Sequence, residues 1–302
     1  MIAQTQTKPK NFQLYKAQAD TGANYGAGKL VKLREKNKSE VIAFLAERSI
    51  HTVVMSSFIA DNGIENPNNR GKFYGYRDNR GNLQGVALIG HTTLIEARSE
   101  NAVFRFAQIA RKSETPIHFM MSDGDTIETF WENFIGEPIK PRLVCTERLF
   151  EISKSAPLPK TTANLRLATE AELVPVAEAH AEVALLESGT NPMERDREGF
   201  LRRTLARIQK GRTWIVFENN ELLFKADIVA ENADVVYLEG IYVNPKRRGQ
   251  SLAAKCLSHL SGVLLEKVKH VCLLSNVEFE QAHRAYQKAG FSMRETYQTI
   301  FV

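Results

Sequence analysis

Cysteine is scarce: Cys145, Cys256 and Cys272 are the three in 302 residues. So few, so widely spaced, exclude a disulfide framework and a cysteine-built zinc site; no metal is expected, and a reducing, cytoplasmic setting is. No apolar run approaches the roughly 18 residues that a membrane span takes, so no membrane role is expected. The opening Met1, Ile2, Ala3, Gln4, Thr5 and Gln6 have no apolar core of the signal-peptide kind. Excess charge is also small. Forty basic residues against 35 acidic ones leave +5, short of the clustered basic stripe of a nucleic-acid binder, and no nucleic-acid partner is expected. Hydrophobic residues at 43% and charged ones at 25% exclude a disordered or collagen-like chain.

What is present divides in two. At about 100–200 residues per domain, the length favours two domains. Residues 1–28, rich in Gln, Lys, Thr, Ala and Gly without apolar periodicity, read as a flexible arm. Residues 153–163, with Pro157 and Pro159, read as a linker. They separate a unit over 29–152 from one over 164–302. The second unit alternates strands and helices. A capping signature at Thr169 to Glu172 opens a helix, and 196–210 is a second helix. Strands at 213–217 and 222–230 form a hairpin. A strand at 235–243 precedes a helix at 251–268, whose Leu252, Cys256, Leu260 and Leu264 recur every four residues. A strand at 270–274, a helix at 280–289 and a strand at 297–302 close the chain. The first unit repeats this plan faintly. A helix at 39–47 precedes a hairpin around Asp78 to Asn82, then a strand at 92–97, a helix at 100–112 and a strand at 117–121.

The chemistry lies between the strand at 235–243 and the helix after it. The strand ends in Asn244-Pro245. Lys246, Arg247, Arg248 and Gly249 follow, and the helix begins at once. A helix N-terminus leaves backbone N–H groups unpaired and carries the positive end of the dipole, and Gly249 lets a ligand approach closely. On these residues alone this is either a site for a pyrophosphate or a basic turn that caps an ordinary helix. It is neither a Walker loop, which ends Gly-Lys-Ser/Thr, nor a Gly-x-Gly-x-x-Gly dinucleotide turn.

Arg248-Gly249-Gln250-Ser251-Leu252-Ala253 resembles the Arg/Gln-x-x-Gly-x-Gly/Ala loop of the GNAT superfamily of N-acetyltransferases, with Ser251 in place of the central glycine. Gly240-Ile241-Tyr242-Val243-Asn244-Pro245, Asn276, and the ending Tyr286-x-x-x-Gly290-Phe291 extend the likeness over 164–302. The first unit resembles a degenerate GNAT domain fused ahead of a working one. The resemblance implies an α/β fold, a mixed sheet in which two GNAT-like domains each have a mostly antiparallel central sheet flanked by helices. It implies acetyl-CoA as cosubstrate, with Ile241, Tyr242 and Val243 on the pantetheine arm and residues 248–253 on the pyrophosphate. Asn276 would anchor pantetheine or cap the next helix. Glu239 would be the base that deprotonates an amine acceptor, although strand alternation sets it opposite Leu238, Gly240 and Tyr242 and leaves a solvent-facing role open. Tyr286 would protonate the leaving thiolate, or serve as a core tyrosine. The implied activity is direct acetyl transfer to an amine in a ternary complex. A non-catalytic acetyl-CoA-binding protein is the alternative, and an aminoacyl-tRNA-dependent transferase is less favoured because those enzymes usually dispense with the phosphate loop. The acceptor, the acyl chain length and homo-oligomer formation are not legible.

Overall fold

The computed structural model describes residues 28–135 and 140–302. Except for Gly28, the arm expected over 1–28 lies outside the described residues. The first half runs β1 (Lys29–Lys32), α1 (Lys38–Ala46), α2 (Val53–Asn62), β2 (Gly71–Arg77), β3 (Leu83–Gly90), β4 (Thr92–Ala97), α3 (Glu100–Ala110), β5 (Phe119–Asp123), α4 (Gly124–Phe134) and β6 (Leu143–Ser153). The second runs β7 (Arg166–Leu167), α5 (Leu173–Ser188), α6 (Pro192–Arg195), α7 (Arg197–Gln209), β8 (Thr213–Glu218), β9 (Glu221–Glu231), β10 (Val235–Val243), α8 (Leu252–Leu265), β11 (His270–Asn276), α9 (Glu280–Ala289) and β12 (Ser292–Phe301).

Local chemistry sets many of these boundaries. Ser99 caps α3 by accepting from the Ala102 N–H, and Asp196 caps α7 by accepting from Gly199. Thr169 and Glu172 form a reciprocal capping box ahead of α5. Asn219 and Asn220 take left-handed φ values of 50° and 62° in the tight turn between β8 and β9.

The described strands form one sheet, mostly antiparallel, in the order β1-β2-β3-β4-β5-β12-β6-β11-β10-β9-β8-β7. The parallel pairs are β4–β5 and β10–β11. The order shows an exchange. β6, at the end of the first half, pairs with β11 of the second, Glu147 opposite Asn276 and Ile152 opposite Val271. β12, the last strand, lies between β6 and β5, with Tyr297 opposite both Glu147 and Asp123. Each half is therefore completed by a strand that the other half's sequence supplies, as in a domain swap within one chain.

Residues 153–163 run along α8. The Ser258 hydroxyl donates to the Pro159 carbonyl at 2.9 Å and Thr161 donates to the Lys255 carbonyl at 3.2 Å. The main core of the second half lies between the sheet and α8, and includes Val236, Leu238, Leu257, Leu260 and Leu273. The opposite face of β10 is covered from the first half. Ile50, in the turn before α2, and Val53, its first residue, share a buried cluster with Val235, Tyr237, Cys272 and Tyr297. Arg212 bonds Asp61 of α2 at 2.9 Å, and the Asn232 amide donates to the Ser49 carbonyl at 3.2 Å, so the two halves are joined by polar contacts as well.

Candidate active site

β10 and β11 pair from Val235–His270 to Leu238–Leu273 and then part. The break coincides with a bulge. Between Glu239 and Tyr242, β10 gains one residue on β9, and Gly240 takes φ 59°. A bulge with glycine in the left-handed region bends its strand and shifts its phase by one. Val236 and Leu238 face the α8 core before the bulge, and Ile241 and Val243 pack on that core after it. The expected unbroken alternation is corrected here. Glu239 shares a face with Tyr237, whose hydroxyl donates to its Oε1 at 2.7 Å, and Gly240 and Tyr242 are not in phase with Leu238.

The parted strands open a cleft of about 890 Å3 between α5, the loop before α8, and α9. Glu239, Ile241, Tyr242 and Val243 line its β10 side. Arg248, Gly249, Ser251, Leu252 and Ala253 line the loop side, and Tyr286 lies on the α9 side. Gln250 and Asn276 are not among the lining residues. The Gln250 amide turns back to the Lys246 carbonyl. The Asn276 side chain accepts from the Glu278 N–H at 3.0 Å and shapes the turn before α9, whose N-cap position is Phe279.

The loop uses two left-handed residues. Gly249 has φ 78°, and nothing lies within 4 Å of where a Cβ would stand. Ser251 has φ 60° and precedes the first residue of α8, but its side chain makes no capping bond. The serine that departs from the loop pattern thus occupies a conformation that favours glycine. Arg248 donates from Nε to the Val243 carbonyl and from Nη2 to Glu182 of α5 at 3.0 Å.

Behind the bulge lies a charged network absent from the sequence reading. Lys225 and Asp227 are 0% and 1% exposed and are paired at 2.6 Å. Arg207 and the Thr213 hydroxyl complete the carboxylate at 3.0 and 2.8 Å. Their signal was two opposite charges, two residues apart, inside the apolar run Leu222-Leu223-Phe224-Lys225-Ala226-Asp227-Ile228. Also missed were Glu147 and Glu187. Burial pushes the Glu147 carboxyl up to about 7 against a Thr299 hydrogen bond; Glu187 is open to solvent on one side, yet the protein around it raises its carboxyl to about 7 by desolvation, with Glu239 and Glu147 adding repulsion. Glu239 is open to solvent through the cleft mouth. The protein crowded around it still raises its pKa by desolvation, and the Tyr237 hydrogen bond opposes that rise. Tyr286 is buried and edge-on to Phe150, and burial pushes its phenol up to about 12, although a Ser275 hydrogen bond acts the other way.

The equivalent place in the first half is closed. β4 and β5 also part, after Leu94–Met121, but the Ser122 hydroxyl bridges the gap to the Ile95 carbonyl at 2.9 Å. Glu96, 3% exposed, is held by Arg48 at 3.2 Å and Arg98 at 3.4 Å. Arg98 also lies over the Phe44 ring, 4.5 Å from its centroid.

Residues 179–291 match the family described as the acetyltransferase (GNAT) family, and this segment is a GNAT domain. No curated protein matches the chain. Among solved structures, a GNAT-family acetyltransferase from Colwellia psychrerythraea is 13% identical, with a TM-score of 0.53 over 91% of this chain and 100% of that one. A GCN5-related N-acetyltransferase from Sphaerobacter thermophilus is 13% identical, with a TM-score of 0.61 over 90% and 94%. A tandem GNAT protein from the clavulanic acid biosynthesis pathway is 12% identical, with a TM-score of 0.55 over 90% and 98%. These likenesses show the fold along most of the chain, and the matched family supports acetyl transfer in general.

Proposed function

We propose that the chain is an acetyl-CoA-dependent N-acetyltransferase that acts through a ternary complex at the β10–β11 cleft. The parting of these strands onto the N-terminus of α8 carries this reading. The backbone of Ile241, Tyr242 and Val243 keeps β9 on one side but no longer pairs with β11 on the other, and that side offers a pairing edge to pantetheine. The loop from Arg248 to Ala253 offers N–H groups and positive charge to the pyrophosphate. Binding there requires the Arg248 guanidinium to leave Glu182.

An ammonium has no lone pair, so transfer requires deprotonation of the amine. Glu239, with a raised pKa and access to the cleft, takes that proton directly or through water. As the nitrogen bonds the thioester carbonyl carbon, the C–S bond breaks. The Tyr286 hydroxyl donates its proton to the departing sulfur, which its raised pKa permits only as charge builds there, and the acylated nitrogen releases its surplus proton through water to restore the phenol. Glu187 and Glu239 bring carboxyl groups into the cleft, and Glu147 behind them adds its negative charge to both. This polarity favours an acceptor that arrives as a cation. The first half, its own gap closed by Ser122 and Glu96, takes the role of a scaffold that covers β10.

The test is acetyl-CoA-dependent thiol release, measured over a panel of primary amines and peptides. Turnover with at least one amine, lost in Gly249→Val and cut sharply in Glu239→Gln, supports the reading. Cofactor binding without turnover on any amine favours the non-catalytic alternative.

A further inference from the structure

We propose that Tyr237 is a positioning residue for Glu239, with its ring seated by the N-terminal half of the chain. The inference rests on the reading of Glu239 as the base. Tyr237 and Glu239 are two residues apart on β10, immediately before the bulge, and so share one face. The hydroxyl donates to Glu239 Oε1 at 2.7 Å. The ring is 4% exposed and is held between Ala230 on β9 and Cys272 on β11, its register partners. Ile50 and Val53 of the first half belong to the same cluster.

A donor fixed in this way does two things. It restricts the rotamers of an otherwise open glutamate, and it favours the ionised carboxylate that a base requires. Burial holds the Tyr237 phenol far above its ordinary range, so it stays a donor at every working pH. The other charged groups around Glu239 are Lys225 and Asp227 on β9, Arg207 on α7, Glu187 on α5 and Glu147 on β6. Lys225 and Arg207 favour ionisation, and the three acids oppose it. None of them bonds the Glu239 carboxylate among the described contacts.

The experiment is an infrared carboxyl titration of the full chain, which needs no acceptor. Each spectrum is referenced to the matching protein with Glu239→Gln, and the Glu239 midpoint is fitted together with the shifts that its removal causes at Glu147 and Glu187. Tyr237→Phe keeps the ring and removes the donor, and should move the Glu239 midpoint up by about one to two pH units. Val53→Ala loosens the ring's seat from the first half and should move it the same way by less. A tyrosine that only filled space would lower thermal stability and leave the midpoint in place, and that result overturns the proposal. An unmoved midpoint in Val53→Ala alone removes the N-terminal half from the account. Full turnover in Glu239→Gln overturns the base reading, and this inference with it.

Discussion

Lys225, fully buried, donates from Nζ to the carbonyl oxygen of Gly240 at 3.0 Å. This bond ties a buried ion pair to the bulge that turns β10 away from β11. A Cβ at Gly240 would stand 2.8 Å from the same Nζ, so both the left-handed φ and the close lysine call for glycine.

Lys225→Met should therefore damage both stability and site. It strands the Gly240 carbonyl and leaves Asp227 with Arg207 and Thr213, and His180 at 3.9 Å. Breaking a buried pair on one side costs about 3 kcal/mol or more, to be read by urea unfolding. A variant as stable as the parent contradicts the network's role.

Ser251→Gly should improve the loop. A non-glycine residue at φ 60° carries about 1 kcal/mol of strain. Ser251 makes no capping bond that the change would lose. We expect acetyl-CoA to bind a few-fold more tightly, by calorimetry, with thermal stability unchanged or raised. Weaker binding would show that the serine hydroxyl itself holds the phosphate.

Tyr286→Phe separates its two roles. As the acid for the leaving thiolate it acts in the transition state, so kcat should fall by up to about 10²-fold while acetyl-CoA affinity stays within a factor of about two. An unaltered kcat with a lower Tm would make Tyr286 a core residue only.

His180 sets a pH dependence. Burial, with Lys225 and Arg207 adding to it, lowers its pKa from 6.5 to about 3. The unfolded chain then binds the proton between these values and the folded one does not, so this contribution to stability is present above pH 6.5 and is lost as pH falls towards 3. Glu147 and Glu187, raised to about 7, act in the opposite sense between their ordinary range and that value. The difference between wild type and His180→Asn isolates the histidine. That difference should shrink as pH falls from 7 to 4 in denaturant titrations, and a constant difference contradicts the assignment.

Much of this was legible because local signals and burial agreed. The α8 stripe, the Thr169–Glu172 box and the loop from Asn244 into α8 each read directly from residue spacing. α2 did not. It packs Met55 and Ile59 on the core of the first half and Val53 on the second half's sheet, so it has no single apolar face to give a period. β6 was hidden by Thr146, Glu147 and Arg148 in its middle, which are tolerable only because strands flank it on both sides. The face of Glu239 was unreadable because alternation assumes an unbroken strand, and the bulge at Gly240 resets it. The carboxyl cluster joins residues 147, 187 and 239, which only the strand exchange and the packing of α5 bring together.

The exchange also dictates how the central claim is tested. Cutting the chain at 153–163 would deprive each half of a strand, so the full chain must be used. The direct measurement is a calorimetric titration of the full chain with acetyl-CoA, repeated on Gly249→Val. One acetyl-CoA per chain, with binding lost in the variant, is the predicted result. Two equivalents per chain, or undiminished affinity in Gly249→Val, would contradict a single site at the N-terminus of α8.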